Sequence, residues 1–286
     1  MMRNLLCAVM LLFLVGCVTS KPQKAPNVSG NFADVNGLLM YYELYGKAEG
    51  VPLVLLHGGG STIDTTFGRI LPFLAQNHRV IAIEEQGHGR TSDRKGPFSF
   101  EASADDVAAL LKKLNIEQAD IFGFSNGASV GMQVALRHPQ LVRKLIFASS
   151  ITKRAGAYPQ LWDFMKRADI SNMPPPLKEA FLKVNPDPAK LKVMHDKDAD
   201  RMRNFKDISD QALRTLKVPT LILTGDRDVA KPEHALELNK LIPRSRLSIL
   251  PAGHGEYLGE LVMATKPSKY PELTAGIVDE FLKSSE

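Results

Sequence analysis

Only two cysteines occur in the 286 residues, Cys7 and Cys17, and both precede residue 18. No disulfide framework can therefore staple the body of the chain, and a chain of this length has apolar surface enough to bury a core without one. Glycine (21) and proline (18) are too few for a fibrous or low-complexity protein, while 44% apolar and 23% charged residues is globular composition. No internal repeat is present. The longest N-terminal apolar run, Leu5 to Val15, is well short of the roughly 20 residues a bilayer span needs. There is also no basic stripe. The net charge of +5 is spread along the chain, and Lys112-Lys113 and Lys153-Arg154 are isolated pairs, so nucleic acid is not an expected partner. None of the seven histidines stands at metal-ligand spacing.

What is present at the N-terminus is a short positive segment with Arg3, the apolar run, and then Leu14-Val15-Gly16-Cys17. Length and flanks suit the apolar region of a secretory signal. The last four residues resemble the lipobox of bacterial lipoproteins, in which cleavage precedes a cysteine whose thiol takes a diacylglycerol. This implies a signal peptide over 1–16, lipidation at Cys17 and a polar tether over 17–31. It also implies attachment to the bacterial cell envelope, with membrane contact only through that anchor. The competing readings are a plain signal peptide with an incidental cysteine, or a buried N-terminal helix.

From residue 32 onward the pattern alternates. Phe32–Val35 and Leu38–Tyr45 flank Asn36-Gly37, a hairpin signal. Apolar runs at 51–56 and 79–83 suit strands buried on both faces, and further strands are expected over 119–124, 144–149, 219–224 and 246–250. Between them, helical spacing is expected over 62–76, 100–114, 126–137, 231–241 and 273–283. Eight strands so connected predict an α/β protein with a mainly parallel sheet and helices on both faces. Its core comprises 32–149 and 218–286. Residues 150–217 interrupt the alternation with helical pieces near 159–168, 176–184, 188–204 and 207–215 and no strand, which predicts an inserted helical lid.

Four segments at strand ends carry chemistry. Gly123-Phe124-Ser125-Asn126-Gly127 is a G-x-S-x-G box between a strand and a helix, a turn that projects a serine hydroxyl from the sheet edge. His57-Gly58-Gly59-Gly60 lets bare backbone approach a substrate and present N–H groups to a developing oxyanion. Gly225-Asp226-Arg227-Asp228 and Gly253-His254-Gly255 follow in the chain order serine, acid, histidine. A fifth segment, Glu84 to Thr91, is similar to a D-x-x-G-x-G-x-S pattern, with Glu84 and Thr91 in place of Asp and Ser.

Together these segments resemble the α/β-hydrolase superfamily, in particular its lidded single-domain members, over roughly residues 32–284. The resemblance implies Ser125 as nucleophile, His254 as general base and a buried acid. Asp228 stands at the family's G-x-x-D position, with Asp226 as the alternative. The N–H groups of Gly59 and Asn126 would form the oxyanion hole, with Gly60 as the other option for the first donor. No metal or organic cofactor is implied. His57 and His88 would hold loop backbone, whereas His78, His138, His195 and His234 are expected on surfaces or loop edges. Trp162 and Met165 are candidates for the substrate pocket, and Ser149 and Ser150 for its shape.

A serine at position 125 excludes the members of the superfamily that attack with aspartate. Ser61 after Gly60 departs from the HGGPG loop of proline iminopeptidases. Hydrolysis of a small-molecule carboxylic ester or lactone is the leading expectation. The alternatives are a cofactor-free perhydrolase or carbon–carbon bond hydrolase with the same triad, a macrolactone esterase, and a ligand-sensing lipoprotein with vestigial turnover.

Overall fold

The computed structural model describes residues 29–285. The expected signal segment, Cys17 and most of the tether lie outside the described residues. No helix among the described residues is long and apolar enough to cross a membrane.

Eight strands run β1 (Ser29–Val35), β2 (Leu38–Gly46), β3 (Leu53–Leu56), β4 (Arg79–Ile83), β5 (Ala119–Phe124), β6 (Val142–Ala148), β7 (Thr220–Arg227) and β8 (Ser245–Gly253). The helices are α1 (Ile63–Phe67), α2 (Leu71–Asn77), α3 (Phe100–Lys113), α4 (Asn126–Arg137), α5 (Pro159–Lys166), α6 (Pro175–Val184), α7 (Pro188–Arg203), α8 (Asp210–Thr215), α9 (Pro232–Leu241) and α10 (Tyr270–Lys283). One sheet holds all the strands in the order β1-β2-β4-β3-β5-β6-β7-β8. The two pairings of β2 are antiparallel, and the remaining neighbours are parallel.

The unalternated strands have the predicted cause. Along β3, Leu53 and Leu55 face one apolar layer with α1, α2 and α10, whereas Val54 and Leu56 face another with α3, α4 and α9. All four are fully buried. A strand that sells no face to water needs apolar side chains at every position. The hairpin turns at Asn36 (φ 48°) and Gly37 (φ 79°), both left-handed, which matches the twist of the flanking strands.

Two expectations are corrected at element boundaries. The single helix over 62–76 is two, α1 and α2, separated at Gly68 to Ile70. Pro72, which has no N–H to continue a helix, instead sits in the first turn of the second. Strand β1 begins at Ser29, so residues 29–31, expected in the tether, pair with β2 through Ser29–Leu44, Gly30–Glu43 and Asn31–Tyr42. Between β6 and β7 lie α5, α6, α7 and α8; side chains of the first three pack in apolar clusters around Phe181 and Phe205, whereas Leu213 of α8 joins the main core with α3, α4 and α9.

Candidate active site

Strand β5 ends at Phe124 and α4 begins at Asn126, so one residue must reverse the chain. Ser125 does so at φ 54°, ψ −119°, a region L-residues seldom enter, at a cost of about 1–3 kcal/mol. Its N–H donates to Ala148 O at 2.9 Å, which ties the turn to β6. The flanking glycines are set by crowding. A Cβ on Gly123 would collide with the Ala128 Cα at 2.5 Å, and one on Gly127 would strike the Leu56 and His57 carbonyls. The turn therefore projects the Ser125 hydroxyl at the carboxyl end of the parallel strands.

Residues from three strand ends meet there. His254 Nε2 lies 3.2 Å from Ser125 Oγ, and His254 Nδ1 lies 2.6 Å from Asp228 Oδ1. Asp226 is exposed on the same loop and takes no part in this chain of bonds. Asp228 is 5% exposed. Burial alone would raise its pKa, but His254 and the surrounding donors outweigh burial and hold it at about 2. Burial likewise opposes a charge on His254, yet Asp228 lifts its pKa above the ordinary 6.5.

Sequence reasoning missed the supports of this acid. Ser149, at a left-handed φ of 50°, donates its hydroxyl hydrogen to Asp228 Oδ2. The buried Tyr257 hydroxyl sits 2.6 Å behind Ser149 Oγ, and Thr224 Oγ1 donates to the same carboxylate oxygen at 3.2 Å. The other oxygen accepts the Val229 N–H at 2.6 Å. Glu260, 5% exposed, lies near His254 and accepts the N–H groups of Val262 and Met263 at 2.8 and 3.1 Å. No local motif marks Ser149, Tyr257 or Glu260, because each acts on a residue distant in sequence.

The glycine loop resolves its own ambiguity. The Gly58 N–H donates to Thr66 Oγ1 at 3.3 Å, that of Gly60 to Asp198 Oδ2 at 2.6 Å, and that of Ser61 to Gly58 O at 3.3 Å. Gly60 is thus engaged, and Gly59 alone of the four N–H groups has no partner among the described residues. The N–H of Asn126, at the first position of α4, has no intrahelical partner by construction. Both residues line the same cavity as Ser125 and His254. Among the described residues no group of three or more His, Cys, Asp or Glu could hold a metal ion.

An α/β hydrolase fold family model matches residues 51–174. A solved structure described as an N-acyl homoserine lactone degrading enzyme is 27% identical, with a TM-score of 0.66 covering 86% of this chain and 99% of that one. The chain has the α/β-hydrolase fold. Among curated proteins, it is 30% identical over 246 residues to an acetyltransferase component of an acetoin cleaving system from Pseudomonas putida. That match takes in 78% of this chain and 63% of the relative's length. A putative carbamate hydrolase of Azorhizobium caulinodans is 24% identical over 278 residues, 89% of this chain and 98% of that one.

In this α/β-hydrolase fold the cavity above Ser125 has a volume of about 570 Å³, within the range of small-molecule sites. The insertion supplies its apolar wall through Leu161, Met165, Met173, Leu177, Met202 and Phe205. Of the two candidates for the pocket, Met165 lines the cavity, whereas Trp162 is absent from its lining and packs against Phe205. Its indole N–H donates to Arg154 O at 3.0 Å, and the Arg154 guanidinium stacks 3.8 Å from the ring centroid. Residues 162 and 165 stand three apart on α5, and it is the indole's contacts with Arg154 that hold Trp162 out of the cavity.

The histidines divide differently from expectation. His57 and His88 do hold backbone: His57 Nε2 accepts the Glu85 N–H at 3.1 Å, and His88 Nδ1 donates to Gln86 O at 3.0 Å. His234, however, is buried rather than at a surface, accepting the Thr152 N–H at 3.1 Å on Nε2 and meeting Glu237 on Nδ1. His195 lines the cavity. Glu84 is fully buried against Arg90, and burial pushes its carboxyl up to about 7. Thr91 donates to Glu84 O at 2.7 Å, so the two residues that depart from the family pattern hold one loop together.

Proposed function

We propose that the protein is a serine hydrolase that cleaves a carboxylic ester or lactone bearing an apolar acyl group, through an acyl-enzyme on Ser125. The single observation that carries this reading is the bonded line Ser125–His254–Asp228 at the floor of an apolar cavity, beside two N–H groups without partners. His254 Nε2 would take the hydroxyl proton as Ser125 Oγ attacks the carbonyl carbon. The carbonyl oxygen, gaining charge, would accept from the Gly59 and Asn126 N–H groups. The tetrahedral adduct would collapse as His254 returns the proton to the leaving alcohol oxygen. Water would then attack the acyl carbon by the same route, releasing acid and restoring Ser125. Asp228, held ionised, stabilises the imidazolium and keeps the Nδ1–H tautomer.

A lactone fits the same chemistry, its leaving alcohol staying attached to the product, and the likeness to a lactone-degrading enzyme supports including that class. The methionines at the wall would let acyl groups of different shape pack without a rigid mould. Envelope attachment through Cys17 belongs to the same proposal, and incorporation of labelled palmitate, lost in Cys17→Ala, would test it.

The deciding experiment is turnover of p-nitrophenyl esters from acetate to decanoate, and of acyl lactones, by the purified protein and its Ser125→Ala variant. Activity confined to the unsubstituted protein is expected, with a preference beyond acetate. Equal activity in both proteins would refute Ser125 as nucleophile.

A further inference from the structure

The charges closest to the glycine loop are not those of the triad. Asp198, on α7 of the insertion, reaches down to the loop with one carboxylate oxygen and holds Arg201 with the other. Its Oδ2 accepts the Gly60 N–H at 2.6 Å and lies 3.0 Å from His88 Nε2, and its Oδ1 accepts from Arg201 at 2.5 Å. Arg201 also donates to Glu85 Oε2 at 3.1 Å. All four ionisable side chains are almost completely buried.

His88 sits between the loop and the carboxylate. Its Nδ1 faces a carbonyl oxygen, which only accepts, so that nitrogen carries a hydrogen. Its Nε2 lies 3.0 Å from Asp198 Oδ2 and 3.3 Å from the Gly60 nitrogen, so the Gly60 N–H is shared between carboxylate and ring, with the carboxylate the nearer. The buried set joins two acids, Asp198 and Glu85, to Arg201 and His88. The neighbouring His57, 4.9 Å away ring to ring, is pushed down to about 4 by burial and by His88. Burial would push His88 down as well, but Asp198 and Glu85 outweigh it and raise it.

Such a network is a poor device for stability alone. Taking such charges from water is costly, and Glu85 Oε1 and Arg201 Nε remain without hydrogen-bond partners. What it does achieve is a junction. One end is the helical insertion and the other is the loop whose Gly59 N–H is unengaged. A Cβ on Gly59 would lie 2.9 Å from Asp198 Oδ2 and would collide with the Asn126 amide nitrogen, so the loop is clasped between carboxylate and amide.

We propose that Asp198 is a positioning residue for the oxyanion hole: by occupying the Gly60 N–H it holds the loop with the Gly59 N–H as its free donor, so the hole is complete only when the insertion is docked. This rests on the hydrolase reading for its catalytic consequence, though the clasp itself is independent of that reading. Displacing the insertion removes Asp198, leaves the Gly60 N–H only its longer 3.3 Å contact with His88 Nε2, and lets the loop relax.

The test compares the full chain with Asp198→Ala, Asp198→Asn and Asp200→Ala, the last removing an exposed ion pair to Arg203 on the same helix. Amide hydrogen exchange over residues 57–62 should quicken at least tenfold in Asp198→Ala and stay unchanged in Asp200→Ala. On an ester that the unsubstituted protein turns over, Asp198→Asn should lower kcat about 10–100-fold with KM within about threefold. Should Asp198→Ala fail to fold, the asparagine variant decides by the same two readouts. Unchanged exchange over 57–62 in a folded Asp198 variant, or an unaltered kcat, would overturn the proposal. If the unsubstituted protein neither turns over esters nor takes a fluorophosphonate on Ser125, the hydrolase reading fails, and the exchange measurement still decides the clasp.

Discussion

Replacing Asp228 by asparagine tests the electrostatics of the site more sharply than deleting the side chain. Oδ1 accepts the Val229 N–H at 2.6 Å and that of Ala230 at 3.4 Å, so an amide NH2 cannot occupy that side. Oδ2 faces the hydroxyls of Ser149 and Thr224, which can reverse and accept, and the Gly225 N–H only at 3.5 Å. Asparagine should therefore settle with its oxygen toward His254 and preserve the Nδ1–H tautomer, unlike sites where this substitution flips the ring's hydrogen. What is lost is the charge. An imidazolium and a carboxylate about 4 Å apart between charge centres, at an effective dielectric constant near 20, interact by about 4 kcal/mol, or roughly 10³ in kcat. The assay is ester turnover across pH. The variant should lose roughly 10³ in kcat, and its acid limb should move to lower pH, because the group raising the His254 pKa is gone. Asp226→Asn, on an exposed side chain, should stay within about twofold. A loss below tenfold in Asp228→Asn, or a larger loss at Asp226, would refute the assignment of the acid.

Gly59→Ala should lower kcat about 100-fold with little change in melting temperature, since the added methyl meets Asn126 and Asp198 at the oxyanion side rather than the core. Ser149→Ala should cost about tenfold in kcat and about 1–3 kcal/mol in stability by denaturant titration, because it removes a donor to buried Asp228 and leaves the Tyr257 hydroxyl only its 3.4 Å bond to Leu223 O. For pH, the base works only when neutral. With its pKa raised above 6.5, activity should climb as pH rises through that raised value and level off above it. Asp228 runs the other way: held at about 2 against 3.8, it contributes stability present above 3.8 and lost as pH falls toward 2, measurable as acid unfolding monitored by circular dichroism.

Much of this protein was legible from short windows of residues. The doubly buried strands, the Asn36-Gly37 hairpin, the G-x-S-x-G turn and the glycine loop each depend on backbone geometry and local crowding, which a few neighbouring residues dictate. The alternation of strands and helices then limits how the sheet can be wound, and so brings the strand ends carrying residues 57, 125, 228 and 254 to one edge. The tertiary structure alone decided which N–H of the glycine loop is free, because the partner of Gly60 lies 138 residues away on α7. It alone placed Ser149 against Asp228 across 79 residues, turned Trp162 from the cavity to Arg154, and assembled a cluster of four buried ionisable side chains. Those outcomes are meetings between side chains, and neither periodicity nor spacing records where two distant side chains meet. Backbone conformation is a local property of the chain; hydrogen-bond partnership in the interior belongs to the packed whole.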